Sequence, residues 1–386
     1  MQVPPQWRIS AWYFFYFAYV GAFAPYFTLY LQSLGFSAWD IGVLMAAAPV
    51  MRAAAPAFWG ALSDRSGRRV PIVRFSATAT AAAFVVFFFA KGFWGVLAGI
   101  VLNFFFWSAA HPLVEALTLD HLRERTEQYG RIRLWGSVGF VVTVLGVGML
   151  LDAVPLAALL WVCLGLLLGI AACAGSLRET PHAAPAKPAA SLRLALRQPK
   201  VVALLAACFF MSAAHGPLYV FFSIHLVDHG YGKTVVGALW SLGVVAEILV
   251  FAFLPRLMRR FSLRGILLTS FALAALRFLL IGWEVDSLPL LLAAQVMHGA
   301  TFGAYHAAAV TALNRWFPPQ QQGRVQALYG SISFGAGGML GNFISGMAWA
   351  PWGAGWTYTL GAGFALVGWL LIWRGMRTEP AARAMR

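Results

Sequence analysis

Acidic side chains are scarce in this sequence: Asp and Glu number 13 among 386 residues, and all charged types together make up 11%. A water-soluble domain of that length carries far more surface charge, so a free aqueous globule is excluded. Cysteine is rarer still. Cys163, Cys173 and Cys208 each fall inside an apolar run without paired spacing, which excludes a disulfide framework or zinc site and leaves small packing residues. The patterns H-E-x-x-H, G-x-S-x-G and the P-loop are missing too, so nothing points to an enzyme, and no cofactor or metal is implied. The first apolar run follows one cation, Arg8, and has no small-residue cleavage site after it; it reads as a spanning helix and not a removable signal.

What the chain has in excess is apolar length. Hydrophobic residues make up 61% of it, and runs of about 20 residues, enough to cross the hydrocarbon layer as a helix, recur almost end to end. The expected spans are 8–31, 39–62, 71–90, 93–121, 131–151, 156–176, 200–227, 231–255, 265–283, 288–314, 323–348 and 355–373. They are too long and too evenly apolar for barrel strands, so the fold class is an all-α membrane protein of twelve transmembrane helices.

The net charge of +15 is a matter of placement. Arg65, Arg68, Arg69 and Arg74; Arg123, Arg125, Arg131 and Arg133; Arg178, Lys187, Arg193, Arg197 and Lys200; Arg256, Arg259, Arg260 and Arg264; and Arg315 and Arg324 fall in alternate loops. The loops between them hold Lys91 and Lys233 alongside Asp40, Asp152, Asp228, Glu284 and Asp286. The positive-inside rule then puts both termini in the cytoplasm of a multi-pass protein of the cell inner (plasma) membrane, and the basic charge calls for no nucleic acid partner.

The sequence also repeats itself at an offset of about 195 residues. "FTLYLQSLGFSAWDIGVL" from Phe27 aligns with "FSIHLVDHGYGKTVVGAL" from Phe222, and His111 falls on His306. The expected organisation is an N-terminal six-helix bundle over 1–177, a Pro- and Ala-rich basic linker over 178–199, and a C-terminal six-helix bundle over 200–386. Its "SLRLALR" portion suits a membrane surface or a solvated turn equally. Parallel repeats of this kind are a transporter plan in which substrate binds at midplane between the halves.

"GALSDRSGRR", from Gly60 to Arg69, matches the G-x-x-x-D-R-x-G-R-R signature of the major facilitator superfamily at every defined position. Its expected role is a conformational latch: Gly60 and Gly67 allow close approach and a tight turn, while Asp64, Arg65, Arg68 and Arg69 pair with a neighbouring helix end. Within that superfamily the chain resembles the phenylpropionate permease family, itself similar to lactose permease-type proton symporters. "PLVEALTLD" followed by "YGRIRLWGSVGF" resembles the helix 4 and 5 pair of the latter, and "WSLGVVAEILVF", "LRFLLIG" and "VMHGATF" resemble helices 8, 9 and 10 of the former. The resemblance implies two rocking six-helix halves and proton-coupled uptake. Two departures stand out. Thr301 occupies the place of a glutamate in the lactose permease type, and Phe140 that of its sugar-stacking tryptophan.

An ionisable group in a spanning helix costs roughly 2.5–3.5 kcal/mol even on the permissive insertion scale, so each is a functional candidate. They are Arg52, Glu115, Arg133, Glu247 and Arg277, with His111, His215, His225, His298 and His306. Glu115 and Arg133, on successive antiparallel helices, are expected to pair, and His111 with Glu115 lacks a third partner for a metal. Arg52 and Glu247 occupy equivalent places in the repeat. Glu247, Glu115, His298 and Arg277 are the proton-coupling candidates. Arg52, Arg133, Phe140, His306, Tyr19, Tyr26 and Tyr219 are the substrate-binding candidates, because aromatic walls with arginines suit an amphipathic organic anion. Helix 5, "GSVGFVVTVLGVG", has glycines but lacks the central proline of drug/proton antiporters, which favours uptake. The expected function is therefore proton-coupled symport of a small organic anion, an aromatic carboxylate of the phenylpropionate kind in particular, by a monomer. A sugar or nucleoside symporter and an efflux antiporter for amphipathic compounds remain the alternatives.

Overall fold

A computed structural model describes residues 6–122, 125–180 and 196–376; 181–195, most of the expected linker, lies outside them. Every long element is helical, as it must be for apolar segments that have to satisfy their own backbone hydrogen bonds in lipid. In chain order they are α1 (Gln6–Ser33), α2 (Ala38–Ser66), α3 (Val70–Phe84), α4 (Val86–Phe89), α5 (Phe93–Leu122), α6 (Tyr129–Ala153), α7 (Ala158–Ser176), α8 (Pro199–Ala214), α9 (Gly216–Asp228), α10 (Lys233–Arg260), α11 (Leu263–Trp283), α12 (Leu288–Val296), α13 (Tyr305–Trp316), α14 (Pro319–Gly330) and α15 (Gly338–Gly375). Local chemistry sets several ends. Ser37 and Asp40 form a reciprocal capping box at the start of α2, and Gly67, at φ 63°, closes its far end in the left-handed conformation.

Ten helical runs among the described residues are long and apolar enough to cross a membrane. The count differs from the twelve expected for two local reasons. The run expected at 288–314 is interrupted between α12 and α13 by a π-helical turn, Gly299–Ala304. The runs expected at 323–348 and 355–373 belong to one continuous helical run from Pro319 to Gly375, inside which Gly353 leaves helical geometry at φ 78°, ψ 173°.

The chain forms two compact units. The first holds residues up to 180 together with Gly230–Ser241; the second holds 196–229 and everything from Leu242. In the first, α1 is the central helix, with Trp12, Tyr13, Tyr19 and Tyr26 almost wholly buried. Lipid tails are as apolar as leucine, so helices here gain from close van der Waals fit more than from leaving the solvent. The glycines of α6 supply that fit: a Cβ on Gly139 would lie 2.2 Å from the Phe14 carbonyl oxygen, and one on Gly136 would lie 2.6 Å from the Phe17 ring.

The same unit captures the first turns of α10. Asp152 accepts from the backbone N–H of Lys233 at 2.7 Å and of Thr234 at 2.9 Å, and from the Thr234 hydroxyl at 2.6 Å. A carboxylate on a helix N-terminus satisfies orphan donors and complements the helix dipole. Nearby, the Tyr26 hydroxyl donates to the Val144 carbonyl at 2.7 Å and lies 3.2 Å from that of Lys233. Asp152→Ala is expected to cost about 0.5–2 kcal/mol, the usual value of such a cap. Denaturation of the purified protein checks it, and an unchanged midpoint would mean that the cap contributes nothing.

In the second unit α15 packs on the break between α8 and α9. A Cβ on Gly216 would come within 2.2 Å of the Gly341 carbonyl carbon. Ser333 donates to the Cys208 carbonyl at 2.9 Å, and Ser212 and Ser333 share a hydrogen bond of 2.9 Å. Arg277, on α11, is only 1% exposed.

Candidate functional site

Each unit carries a cluster of ionisable candidate side chains in its interior. In the first, α5 and α6 place His111, Glu115, Tyr129 and Arg133 together. The expected direct pair of Glu115 with Arg133 is not made, and no carboxylate lies within 4 Å of Arg133 among the described residues. His111 stands between them. Arg133 Nη1 donates to His111 Nε2 at 3.0 Å, and His111 Nδ1 lies 3.7 Å from Glu115 Oε2. A guanidinium only donates, so His111 Nε2 is the bare acceptor and the ring is neutral with its proton on Nδ1, facing Glu115. Tyr129 donates to the other Glu115 oxygen at 2.6 Å.

α1 supplies the aromatic walls of this cluster. The Arg133 guanidinium sits 5.1 Å from the Tyr13 ring and 4.9 Å from that of Phe17, which holds it by cation–π attraction and leaves donors free. His111 lies 5.2 Å from Tyr16, itself stacked on Trp107 at 4.5 Å. Arg52 is exposed on α2.

In the second unit, Glu247 Oε2 lies 3.8 Å from His298 Nε2. Arg277 donates to Thr301 Oγ1 and to Gln295 Oε1, each at 3.2 Å. Both partners are neutral, and among the described residues no carboxylate lies within 4 Å of it. The π-helical turn follows His298 directly, and it stacks His298, Phe302 and His306 in a row, with ring separations of 5.4 and 6.2 Å. His306 Nδ1 is hydrogen-bonded to the Tyr329 hydroxyl at 2.8 Å. Short π-helical turns inside helices recur at functional sites.

Other expected site residues lie elsewhere. Tyr19 is 1% exposed and its hydroxyl accepts from Asn103 at 2.9 Å; Tyr26 is occupied at Val144; the Phe140 ring is 8% exposed. Tyr219, on α9, is half-buried beside His215, with ring centroids 5.9 Å apart. Gly60–Ser66 form the last turns of α2 and Gly67–Arg69 the turn after it; there the pairing with a helix end is made by Arg69, which binds Asp120 at the end of α5, while Asp64, Arg65 and Arg68 are exposed. A Cβ on Gly60 would meet nothing within 4 Å, so the close approach expected there is absent from this conformation.

The partnerships of three residues in this region escaped the sequence reading. Asp120 ends the stretch that carries Glu115. Glu179 accepts from the N–H groups of Arg69 at 3.1 Å and Val70 at 2.9 Å, capping α3. Arg74 donates to the carbonyls of Gly175 at 3.0 Å and Leu177 at 2.9 Å, closing the C-terminal end of α7. The available signal was charge beside a helix end; the partners are 51 to 110 residues apart.

Comparison with known proteins places these observations. The model of the MFS_1-like family matches residues 6–360. A probable 3-phenylpropionic acid transporter of Escherichia coli (strain K12) is 33% identical over 341 residues, covering 84% of this chain and 86% of the relative. A maltose permease of Geobacillus stearothermophilus is 29% identical over 367 residues, 93% and 92% of the two chains. The crystal structure of the nucleoside transporter NupG superposes with a TM-score of 0.86 over 98% of this chain and 100% of that one, at 15% identity.

Proposed function

The chain belongs to the MFS_1-like family, and from that premise we propose that this transporter carries a small organic anion, of the aromatic carboxylate class, into the cell together with protons by alternating access. The observation that carries the reading is Arg133. Its guanidinium is half-buried, fixed by His111, Tyr13 and Phe17, and has no carboxylate within 4 Å among the described residues. A cation held against aromatic rings in that way suits a carboxylate joined to an apolar body, because charge-assisted hydrogen bonding and ring packing then act on the same ligand. The name of the 33% identical Escherichia coli relative points to the same class.

Glu247 and His298 are the proposed proton carriers, with Glu115 and His111 a second acid–imidazole pair of similar design. Arg52, Tyr219 and His306 complete the substrate-binding set. The fold is proposed to make twelve crossings with both termini cytoplasmic. A helical run of 57 residues from Pro319 to Gly375 would extend about 85 Å if straight, nearly three hydrocarbon thicknesses, so Gly353 divides it into two crossings. The interrupted segment from Leu288 to Trp316 supplies one more.

Uptake into proteoliposomes tests the function. With an acidic exterior and radiolabelled 3-phenylpropionate, maltose and uridine as the panel, accumulation of the aromatic acid, abolished by a protonophore, is the expected result. Accumulation of maltose or uridine in its place would support the second reading, a sugar or nucleoside symporter, which the maltose permease relative favours. Arg133→Gln is expected to weaken uptake of the acid at least about tenfold through loss of a charged hydrogen bond.

The Gly60–Arg69 loop is the proposed latch. The Arg69–Asp120 pair is part-exposed, so its loss is expected to change stability by no more than about 1 kcal/mol. A changed transport rate in Arg69→Ala at unaltered melting would identify a conformational role; equal loss of both would mean that the pair only holds the fold.

A further inference from the structure

The polar cluster around Arg277 has a property that proton coupling through Glu247 does not use. Four of its atoms are sealed from solvent and lack a hydrogen-bond partner among the described residues: Arg277 Nε, Gln295 Nε2, His298 Nδ1 and His215 Nε2. Their side chains are deeply buried, Arg277 at 1% exposure, His215 and Gln295 at 3% and His298 at 9%. They belong together. Arg277 is hydrogen-bonded to Gln295 and to Thr301, whose hydroxyl lies 3.5 Å from the His298 carbonyl; the His215 and His298 rings are 6.5 Å apart, and His215 packs at 5.0 Å on Phe278, the chain neighbour of Arg277.

Two helix breaks meet at this cluster. His215 occupies the junction between α8 and α9, and His298 stands at the head of the π-helical turn. Interrupted membrane helices commonly mark ion and substrate sites, since the freed backbone and side-chain groups are there to be used. The charge is unbalanced as well. The partners of Arg277 are a hydroxyl and an amide, and a buried cation in a membrane protein calls for an anion.

We propose that Arg277, Gln295, His298 and His215 form a site for a small inorganic anion of halide size inside the second unit, and that His215 takes up a proton when the anion enters. Arg277 Nε and Gln295 Nε2 are obligate donors. His215 Nδ1 lies 2.8 Å from the Met211 carbonyl, which can only accept, so Nδ1 carries the hydrogen and Nε2 of the neutral ring is bare. A bare nitrogen repels an anion; a protonated one donates to it. Anion and proton therefore favour each other's binding. The groups facing His215 are Arg277 and His298 from the neighbouring helices, Tyr219 and Phe278 at its ring, and Glu247 by way of His298. All four side chains are at most 9% exposed and lie in the second unit, whereas Arg133 lies in the first, which keeps this site distinct from Arg133.

The test is bromide binding to the full-length protein in nanodiscs, measured by calorimetry against a gluconate reference in two buffers of different ionisation heat. Saturable binding that tightens as pH falls, with about one proton taken up per bromide, is expected. His215→Gln should remove the proton uptake and weaken bromide about tenfold, and Arg277→Gln should abolish binding. Gln295→Leu, a milder change, should weaken bromide as well, which keeps the test alive if Arg277→Gln does not fold. The proposal is overturned if no saturable bromide binding exists, so that water alone fills the site, or if the variants bind like the parent protein. Competitive displacement of bromide by 3-phenylpropionate would overturn it also, by assigning the site to the organic acid. Proton-driven uptake, measured separately, can fail or succeed without deciding any of these outcomes.

Discussion

Glu247→Gln is expected to abolish accumulation of substrate against its gradient while downhill exchange across the same vesicles continues. Glutamine keeps the shape of the side chain and imitates its protonated, neutral form, but cannot bind or release a proton. Glu247 Oε2 lies 3.8 Å from His298 Nε2 in a part-buried place, close enough for the two to share charge but too long for a hydrogen bond. A small movement of α10 relative to the helix bearing His298 would therefore make or break the contact and alter proton affinity at Glu247. The backbones are close enough for such movement to be felt: a Cβ on Gly303 would sit 3.1 Å from Glu247 Cγ, and one on Gly243 would sit 3.3 Å from His298 Cδ2. Concentrative uptake that survived in the variant would transfer the role to Glu115, whose His111 contact is 3.7 Å.

The second large effect concerns the fold. Gly139→Ala is expected to destabilise by about 3 kcal/mol, at the upper end of the overpacking range. The new methyl would lie 2.2 Å from the Phe14 carbonyl oxygen and 2.9 Å from its carbonyl carbon, both backbone atoms that cannot rotate away. α1 would have to withdraw from α6, taking Tyr13 and Phe17 off Arg133, so transport should fall with stability. Gly146→Ala, seven residues along the same helix, meets nothing within 4 Å and should stabilise by up to about 1 kcal/mol through helix propensity alone. Thermal unfolding of the two purified variants checks the contrast; equal midpoints would mean that α1 and α6 are free to separate.

Much of the architecture was legible because a membrane imposes a length and a polarity rule on each segment. Eleven of the twelve expected apolar runs appear as continuous helical spans or within them, with ends displaced by a few residues. The remaining differences lie where backbone geometry is decided by neighbours. Nothing in "HGATFGA" announces a π-helical turn, and a single glycine, Gly353, marks the departure inside the Pro319–Gly375 run. The candidate residues were legible for a related reason, since ionisable groups inside apolar runs are few. Their partners were not. Spacing suggested that Glu115 and Arg133 would meet, but a helix pair brings several side chains within reach, and His111 occupies the position between them. The partners of Asp120, Asp152 and Glu179 went unread because each is remote in sequence, the Arg69 guanidinium for the first and helix-end N–H groups for the other two.

By itself the sequence determined the membrane class, the helical content, the repeat and the family, because these follow from local composition and from a motif with fixed spacing. Only the tertiary structure decided which charges are answered. It showed Arg133 resting on aromatic rings, Arg277 sealed among neutral partners, and Arg69 as the member of the latch stretch that pairs with a helix end, at Asp120, while Asp64 is exposed. The physical reason is that the cost of a buried charge depends on which donors, acceptors and rings come within about 4 Å, and packing sets that distance between residues far apart in the chain.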